Sequence, residues 1–211
     1  MQVPAENQVL FIGGRSGAGK VNRAATDERA VIDISRELDA PVGYAPNVTI
    51  RPAEASEVDA CVDLWVRACA ERDGAAVAGV AERARAKFDR RAAWRVAESG
   101  ERIVGFALAT EPGSGAPSDP RSAAVLGLLA VDPVAQGLGL GRRLLAEISG
   151  ALADAGFTKA VLHVLTDNAA AVRLYESAGW RPHGEPFEHT LLHRLSQSYV
   201  IDLRGLAQAS I

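Results

Sequence analysis

Two short glycine-rich runs have the residue types that hold phosphate, and they do not carry equal weight. The first, GGRSGAGK at residues 13–20, follows the apolar run QVLFI. Gly14, Gly19 and Lys20 fit the pattern G-x-x-x-x-G-K-[ST], but Val21 stands where a hydroxyl is needed to reach Mg²⁺. The second, QGLGLG at residues 136–141, lies between the apolar run AAVLGLLAV and the strongly helical pattern RRLLAEISGALADAGF. A helix N-terminus carries unpaired N–H groups and a partial positive charge, and glycines let a ligand approach that backbone with no side chain in the way. Downstream stand residues able to move protons, His163 and Tyr175, and a helix-capping asparagine, Asn168.

The elements that must position these residues are legible in outline. From Asn47 onward, VTIRPA reads as a strand and EASEVDACVDLWVRACAERDG as an amphipathic helix with Val58, Val62, Trp65 and Cys69 inward. AAVAGVAERARAKFDRR reads as a second, more polar helix, and AAWRVAE and ERIVGFALAT as a hairpin about a Ser-Gly turn. The run EPGSGAPSDPRS is rich in Pro, Gly and Ser and predicts a mobile loop. A central strand, the helix after the glycines, the strand KAVLHVL, the helix NAAAVRLYESAG and a last strand SYVIDL complete the order β-α-α-β-β-β-α-β-α-β, an α/β class with a mixed sheet and helices on both faces. Residues 181–197 read as irregular.

Composition bounds the rest. The chain has 211 residues, 48% hydrophobic and 23% charged, with a net charge of −3. That suits one domain with an appendage and disfavours nucleic-acid binding, which needs a basic surface. Cys61 and Cys69 lie eight apart on one helical face and read as packing thiols. No basic, apolar leader and no uninterrupted apolar run of membrane-spanning length are visible, so a cytoplasmic protein with no membrane partner is expected.

Two folds use a glycine turn at a helix start. The dinucleotide pattern G-x-G-x-x-G fails from either glycine, because Arg142 and Leu144 occupy its third glycine position. The pattern Q/R-x-x-G-x-G/A is met in full by Gln136, Gly137, Leu138, Gly139, Leu140 and Gly141. Together with Asn168, Ala171, Leu174, Tyr175, Gly179 and Trp180, which fit N-x-x-A-x-x-L-Y-x-x-x-G-F/W, the chain resembles the GNAT superfamily of N-acetyltransferases over about residues 47–205. Residues 1–46 would then be an N-terminal extension, a remnant resembling the start of a P-loop protein and expected to be partly disordered. Residues 206–211 would be a C-terminal tail.

The resemblance implies a GNAT fold with a mostly antiparallel sheet, acetyl-CoA as co-substrate, and acetyl transfer to a primary amine by direct attack. It implies that Leu129, Ala130 and Val131 pair with the pantetheine arm. Gln136, Gly137, Leu138, Gly139, Leu140, Gly141 and Arg142 would take the pyrophosphate, and Asn168 would cap its helix and contact the cofactor. Tyr175 corresponds to the family's general acid. His163 stands where protein N-terminal acetyltransferases of the family often carry a base, twelve positions before the tyrosine. It is the candidate base, equally readable as a packed strand residue; Glu71, Asp73, Glu188 and His189 are the alternatives. His183, His189 and His193 fit no established metal spacing, so no metal is expected. The expected partners are acetyl-CoA and an amine acceptor, with the chain a monomer or homodimer. Competing readings are a catalytically weak acyl-CoA-binding module of the same fold and a nucleotide-binding protein using Lys20.

Overall fold

The computed structural model describes residues 48–206. The glycine-rich run around Lys20, the boundary at Asn47 and most of the tail lie outside them. Seven strands form one sheet: β1 (Thr49–Pro52), β2 (Arg91–Ser99), β3 (Arg102–Thr110), β4 (Ala124–Val131), β5 (Lys159–Leu165), β6 (Arg181–Glu188) and β7 (Leu195–Asp202), in the spatial order β1-β2-β3-β4-β5-β7-β6. Only the β4–β5 pair is parallel. The helices are α1 (Val58–Asp73), α2 (Val80–Phe88), α3 (Leu140–Asp154) and α4 (Ala169–Ser177). No helix of the described residues is long and apolar enough to cross a membrane.

The sheet is covered on both faces because its central strands bury both. On one face Leu126, Leu129 and Val131 of β4 meet Leu144, Leu145, Ile148 and Leu152, the apolar stripe of α3. Each of those four α3 side chains is at most 1% exposed. Removing a side chain of this size from water contributes about 1.5–3 kcal/mol. On the other face Leu128 and Ala130 pack with Phe106 and Leu108 against Leu64, Trp65 and Ala68 of α1 and Phe88 of α2. Phe88 meets Trp94 edge-on, ring centroids 4.8 Å apart.

Three segments differ from the sequence reading. The second helix begins only at Val80, after Gly79 with φ +74°. Residues 181–188, read as irregular, form edge strand β6. Its sequence RPHGEPFE is exposed almost throughout and carries two prolines, so it shows no apolar alternation and is tolerated only at an edge. The β3–β4 loop, read as mobile, is internally bonded. The Thr110 and Ser114 hydroxyls lie 2.6 Å apart, the Ser114 hydroxyl also donates to Glu111 O, and Asp119 N–H donates to Ala116 O.

Candidate active site

The site begins where the sheet comes apart. β4 and β5 pair only through Ala124 with Ala160 and Val125 with Val161. The cause is a bulge in β4: on β3, Leu108 faces Leu128 and Ala109 faces Leu126, so Gly127 is an extra residue. A bulge bends its strand and breaks the alternation of faces. From Leu126 to the strand's end, the β4 edge facing β5 has no strand partner among the described residues. Buried backbone groups are almost always paired, so this edge suits an extended ligand carrying amides.

The glycine turn stands at the end of that opening. After β4 the chain makes a short 3₁₀ turn at Pro133–Ala135, and Gln136 donates weakly to Val131 O at 3.4 Å. Gly137 and Gly139 have φ of +81° and +73°, a left-handed conformation that other residues rarely adopt. A Cβ built on either would meet nothing within 4 Å. Leu138 between them is 66% exposed. Gly139 caps α3, so Leu140, Gly141 and Arg142 present first-turn N–H groups beside open space. The Arg142 guanidinium donates to Ser177 Oγ at 2.7 Å, tying the start of α3 to the end of α4.

α4 is started by Asn168, whose side chain accepts from Ala171 N–H at 3.2 Å. Asn168→Ala should lower stability by about 1 kcal/mol, the usual worth of such a cap. Thermal melts followed by circular dichroism should register a drop of a few degrees. Tyr175 lies on the buried side of α4 at 0% exposure, its ring 6.3 Å from that of Trp180. Its hydroxyl is buried with no hydrogen-bond partner. Burial pushes the phenol well above its ordinary pKa, so it is a neutral donor.

His163 lies across β5 from Tyr175. Leu162 and Val164 face the α3–α4 core that contains Tyr175, and His163 alternates with them. Its Nε2 is 2.8 Å from Asp119 Oδ2, and both side chains are nearly inaccessible. Ser198, its neighbour on β7, donates to Asp119 Oδ1 at 3.0 Å, and the Phe187 ring abuts the imidazole at 5.2 Å. Burial alone would push the Asp119 carboxyl up. The hydrogen bond from His163, its charge, and the bonds from Ser198 and Ala116 outweigh that and hold it below the usual carboxylate range. Sequence reasoning missed Asp119 and Ser198, which belong to no motif.

Three of the other candidate bases are separately engaged. Asp73 is paired with Arg72 and with Arg194, the latter at 3.0 Å. Glu188 is exposed and lies 2.8 Å from His193. Glu71 is exposed on α1. His189 is buried, its Nδ1 accepting from Leu191 and Leu192 N–H. A pocket on the α1–α2 face, between Trp65, Cys69, Asp73, Lys87, Leu128 and His189, opens beside the β4 bulge. Cys61 and Cys69 are buried packing residues, their thiols pushed up by burial to about 12 and about 11. His183, His189 and His193 do not converge, and the described residues contain no cluster of three or more metal-ligating side chains.

A parallel pair that parts beside a glycine turn leaves an open backbone edge next to a helix start suited to phosphate. The sequence matches the profile of the Acetyltransferase (GNAT) family over residues 59–180, and the chain belongs to that family. It is similar to the mycothiol acetyltransferase of Kocuria rhizophila, 41% identical over 81 residues, 38% of this chain and 26% of that protein. The Geodermatophilus obscurus mycothiol acetyltransferase is 39% identical over 90 residues, 42% of this chain and 28% of that protein. The matches thus span little more than a quarter of these relatives' length. Among solved structures, a Salmonella typhimurium putative acetyltransferase with its cofactor acetyl-CoA superposes with a TM-score of 0.59 at 23% identity, covering 74% of this chain and 94% of that one. The Escherichia coli ribosomal-protein-S18-alanine N-acetyltransferase gives 0.56 at 23% identity, with the same coverage of each chain. These two likenesses bear on the fold.

Proposed function

We propose that residues 47–205 form an acetyl-CoA-dependent N-acetyltransferase domain acting on a primary amine of a small molecule or of a protein or peptide. The observation that carries this reading is the parting of β4 from β5 directly above the open glycine turn at α3. The unpaired β4 edge through Leu129, Ala130 and Val131 suits the amides of the pantetheine arm. The turn formed by Gln136, Gly137, Leu138, Gly139, Leu140, Gly141 and Arg142 suits the pyrophosphate, chiefly through backbone N–H groups. Asn168 supports this end of the site by holding α4.

In the reaction the amine nitrogen bonds to the thioester carbonyl carbon and the C–S bond breaks. A β4 N–H facing the carbonyl oxygen stabilises its developing charge. His163 takes the amine proton, and Tyr175, kept neutral by burial, gives one to the departing sulfur; the phenol regains a proton from solvent as His163 releases its own. The buried Tyr175 hydroxyl is costly without a partner, and a sulfur beside it would supply one. The acceptor would enter from the α1–α2 face through the pocket beside Leu128. We place the protein in the cytoplasm, as a monomer or homodimer, with no nucleic-acid or membrane partner.

An amine panel tests the reading. It should include peptide N-termini, small primary amines and the acceptor of mycothiol acetyltransferases, with CoA release as the readout. Turnover of one class well above acetyl-CoA hydrolysis is expected. Tight acetyl-CoA binding without turnover across the panel would favour a binding module instead.

A further inference from the structure

We propose that the acceptor amine also carries an anionic group, a carboxylate or a phosphate-type group, and that Arg83 binds this group in the pocket on the α1–α2 face. The proposal rests on the reading of that pocket as the acceptor's entrance. Its starting point is the pattern of α2. Val80, Arg83, Ala84 and Lys87 all line the pocket, and their spacing of i, i+3, i+4 and i+7 makes one helical face. The face a helix turns inward is ordinarily apolar, and this one carries two cationic residues, Lys87 among the buried ones. A local departure of this kind is expected where a chain serves function ahead of packing.

The other charged groups of the pocket are matched among themselves. Asp73, the one carboxylate that lines it among the described residues, accepts from Arg72 Nε at 2.7 Å and from Arg194 Nη1 at 3.0 Å. Arg194 also donates to Asp167 at 2.6 Å, so these two arginines face two carboxylates. Burial alone would push the Asp73 carboxyl up, and the bonds and charges of both arginines outweigh it and hold it below the ordinary range. His189 accepts at Nδ1 from two N–H groups, so its ring is neutral.

Arg83 is placed differently. Its guanidinium donates to Ala78 O at 2.9 Å and meets no carboxylate among the described residues. A single carbonyl takes one of the five N–H donors of a guanidinium. The charge is also felt inside the pocket: burial pushes the Cys69 thiol up to about 11, and Arg72 and Arg83 both act against that rise. A guanidinium fork fits the paired oxygens of a carboxylate or a phosphate. A second ammonium on the acceptor would meet only a carboxylate that two arginines already hold. An acceptor anchored by its anion at α2 would extend its amine toward the β4 bulge, beside which the pocket opens.

The test uses matched amines that differ only at the far end: glycine, β-alanine and γ-aminobutyrate, the amide of each, and the aminoalkylphosphonates of the same lengths. Each is titrated by calorimetry into protein saturated with CoA, which has no acetyl group to transfer. At the best length the anionic amine should bind at least about 10-fold more tightly than its amide, the scale of a hydrogen bond to a charged group. The tighter of carboxylate and phosphonate then identifies the group. Arg83→Gln should weaken the anionic amines to the level of the amides and leave the amides unchanged. Arg83→Lys, which keeps the charge without the fork, should retain part of the difference. With acetyl-CoA and CoA release as the readout, the difference should fall on KM and spare kcat, because the anion is held equally before and during attack.

Wild-type protein that binds no anionic amine more tightly than its amide overturns the proposal, whichever amines are acetylated. A preference that survives intact in folded Arg83→Gln overturns the role of Arg83. A preference that is lost in Arg83→Gln, in a protein that acetylates none of the amines, would uphold the anion site and remove the transferase reading instead.

Discussion

Gly139→Asp should abolish acetyl-CoA binding while leaving the fold intact. Gly139 is the N-cap of α3 with φ +73° and open space around its Cα. Aspartate tolerates the left-handed region better than most residues, so the backbone cost is about 1–2 kcal/mol at most. Aspartate is also among the best N-caps, and its carboxylate would accept from the first-turn N–H groups, which over glycine gains a few tenths of a kcal/mol. The net cost is about 1–2 kcal/mol, so the variant should melt a few degrees lower and remain folded. The ligand, however, would meet an anion already holding the donors that its pyrophosphate needs. Calorimetry should show affinity reduced by at least about 10²-fold, since both the donors and the favourable dipole are lost to it. Unchanged affinity in a folded variant would place the cofactor elsewhere.

Tyr175→Phe should separate activity from stability in opposite directions. The hydroxyl is buried without a partner, and an unsatisfied buried polar group costs about 1–3 kcal/mol. Removing it keeps the ring against Trp180 and deletes that cost, so the variant should melt no lower than wild type. If the phenol is the proton donor to the departing sulfur, kcat should fall by about 10²-fold with acetyl-CoA affinity unchanged. A variant that melts lower and keeps its kcat would make Tyr175 a packing residue.

The parts of this site that were legible in the sequence are those in which chemistry and backbone share a short run. The turn from Gln136 to Gly141 and the helix bearing Asn168 and Tyr175 each lie within a few consecutive residues, and apolar periodicity placed the elements around them. That Leu129 to Val131 would pair with the cofactor was expected from resemblance, and the bulge at Gly127 that parts β4 from β5 is invisible in AAVLGLLAV, where every residue is buried. The same uniform burial hides that His163 and Tyr175 occupy opposite sides of β5, because KAVLHVL shows no alternation. Asp119 was illegible for another reason. It sits among Pro, Gly and Ser residues that signal a loop but not its docking, and its partners are 44 and 79 positions away. Strand β6 was missed because an exposed edge needs no apolar face.

With only two residue pairs joining β4 to β5, the seven strands behave as two panels sharing a short seam: β1 to β4, and β5 with β7 and β6. The panels are otherwise coupled through α3, α4 and the β3–β4 loop that carries Asp119. Cooperativity across such a seam is limited by what bridges it, so the C-terminal panel can open at lower free energy than the whole domain. A ligand lying in the split, as we propose for acetyl-CoA, would supply the missing rungs. It would act as a removable structural tie as much as a substrate. Saturation at about 100 times Kd contributes about 2.7 kcal/mol by mass action alone. The unliganded and liganded proteins would then differ less in shape than in how many parts they unfold as, and amide exchange in β5 and β7 would report the joining of the panels.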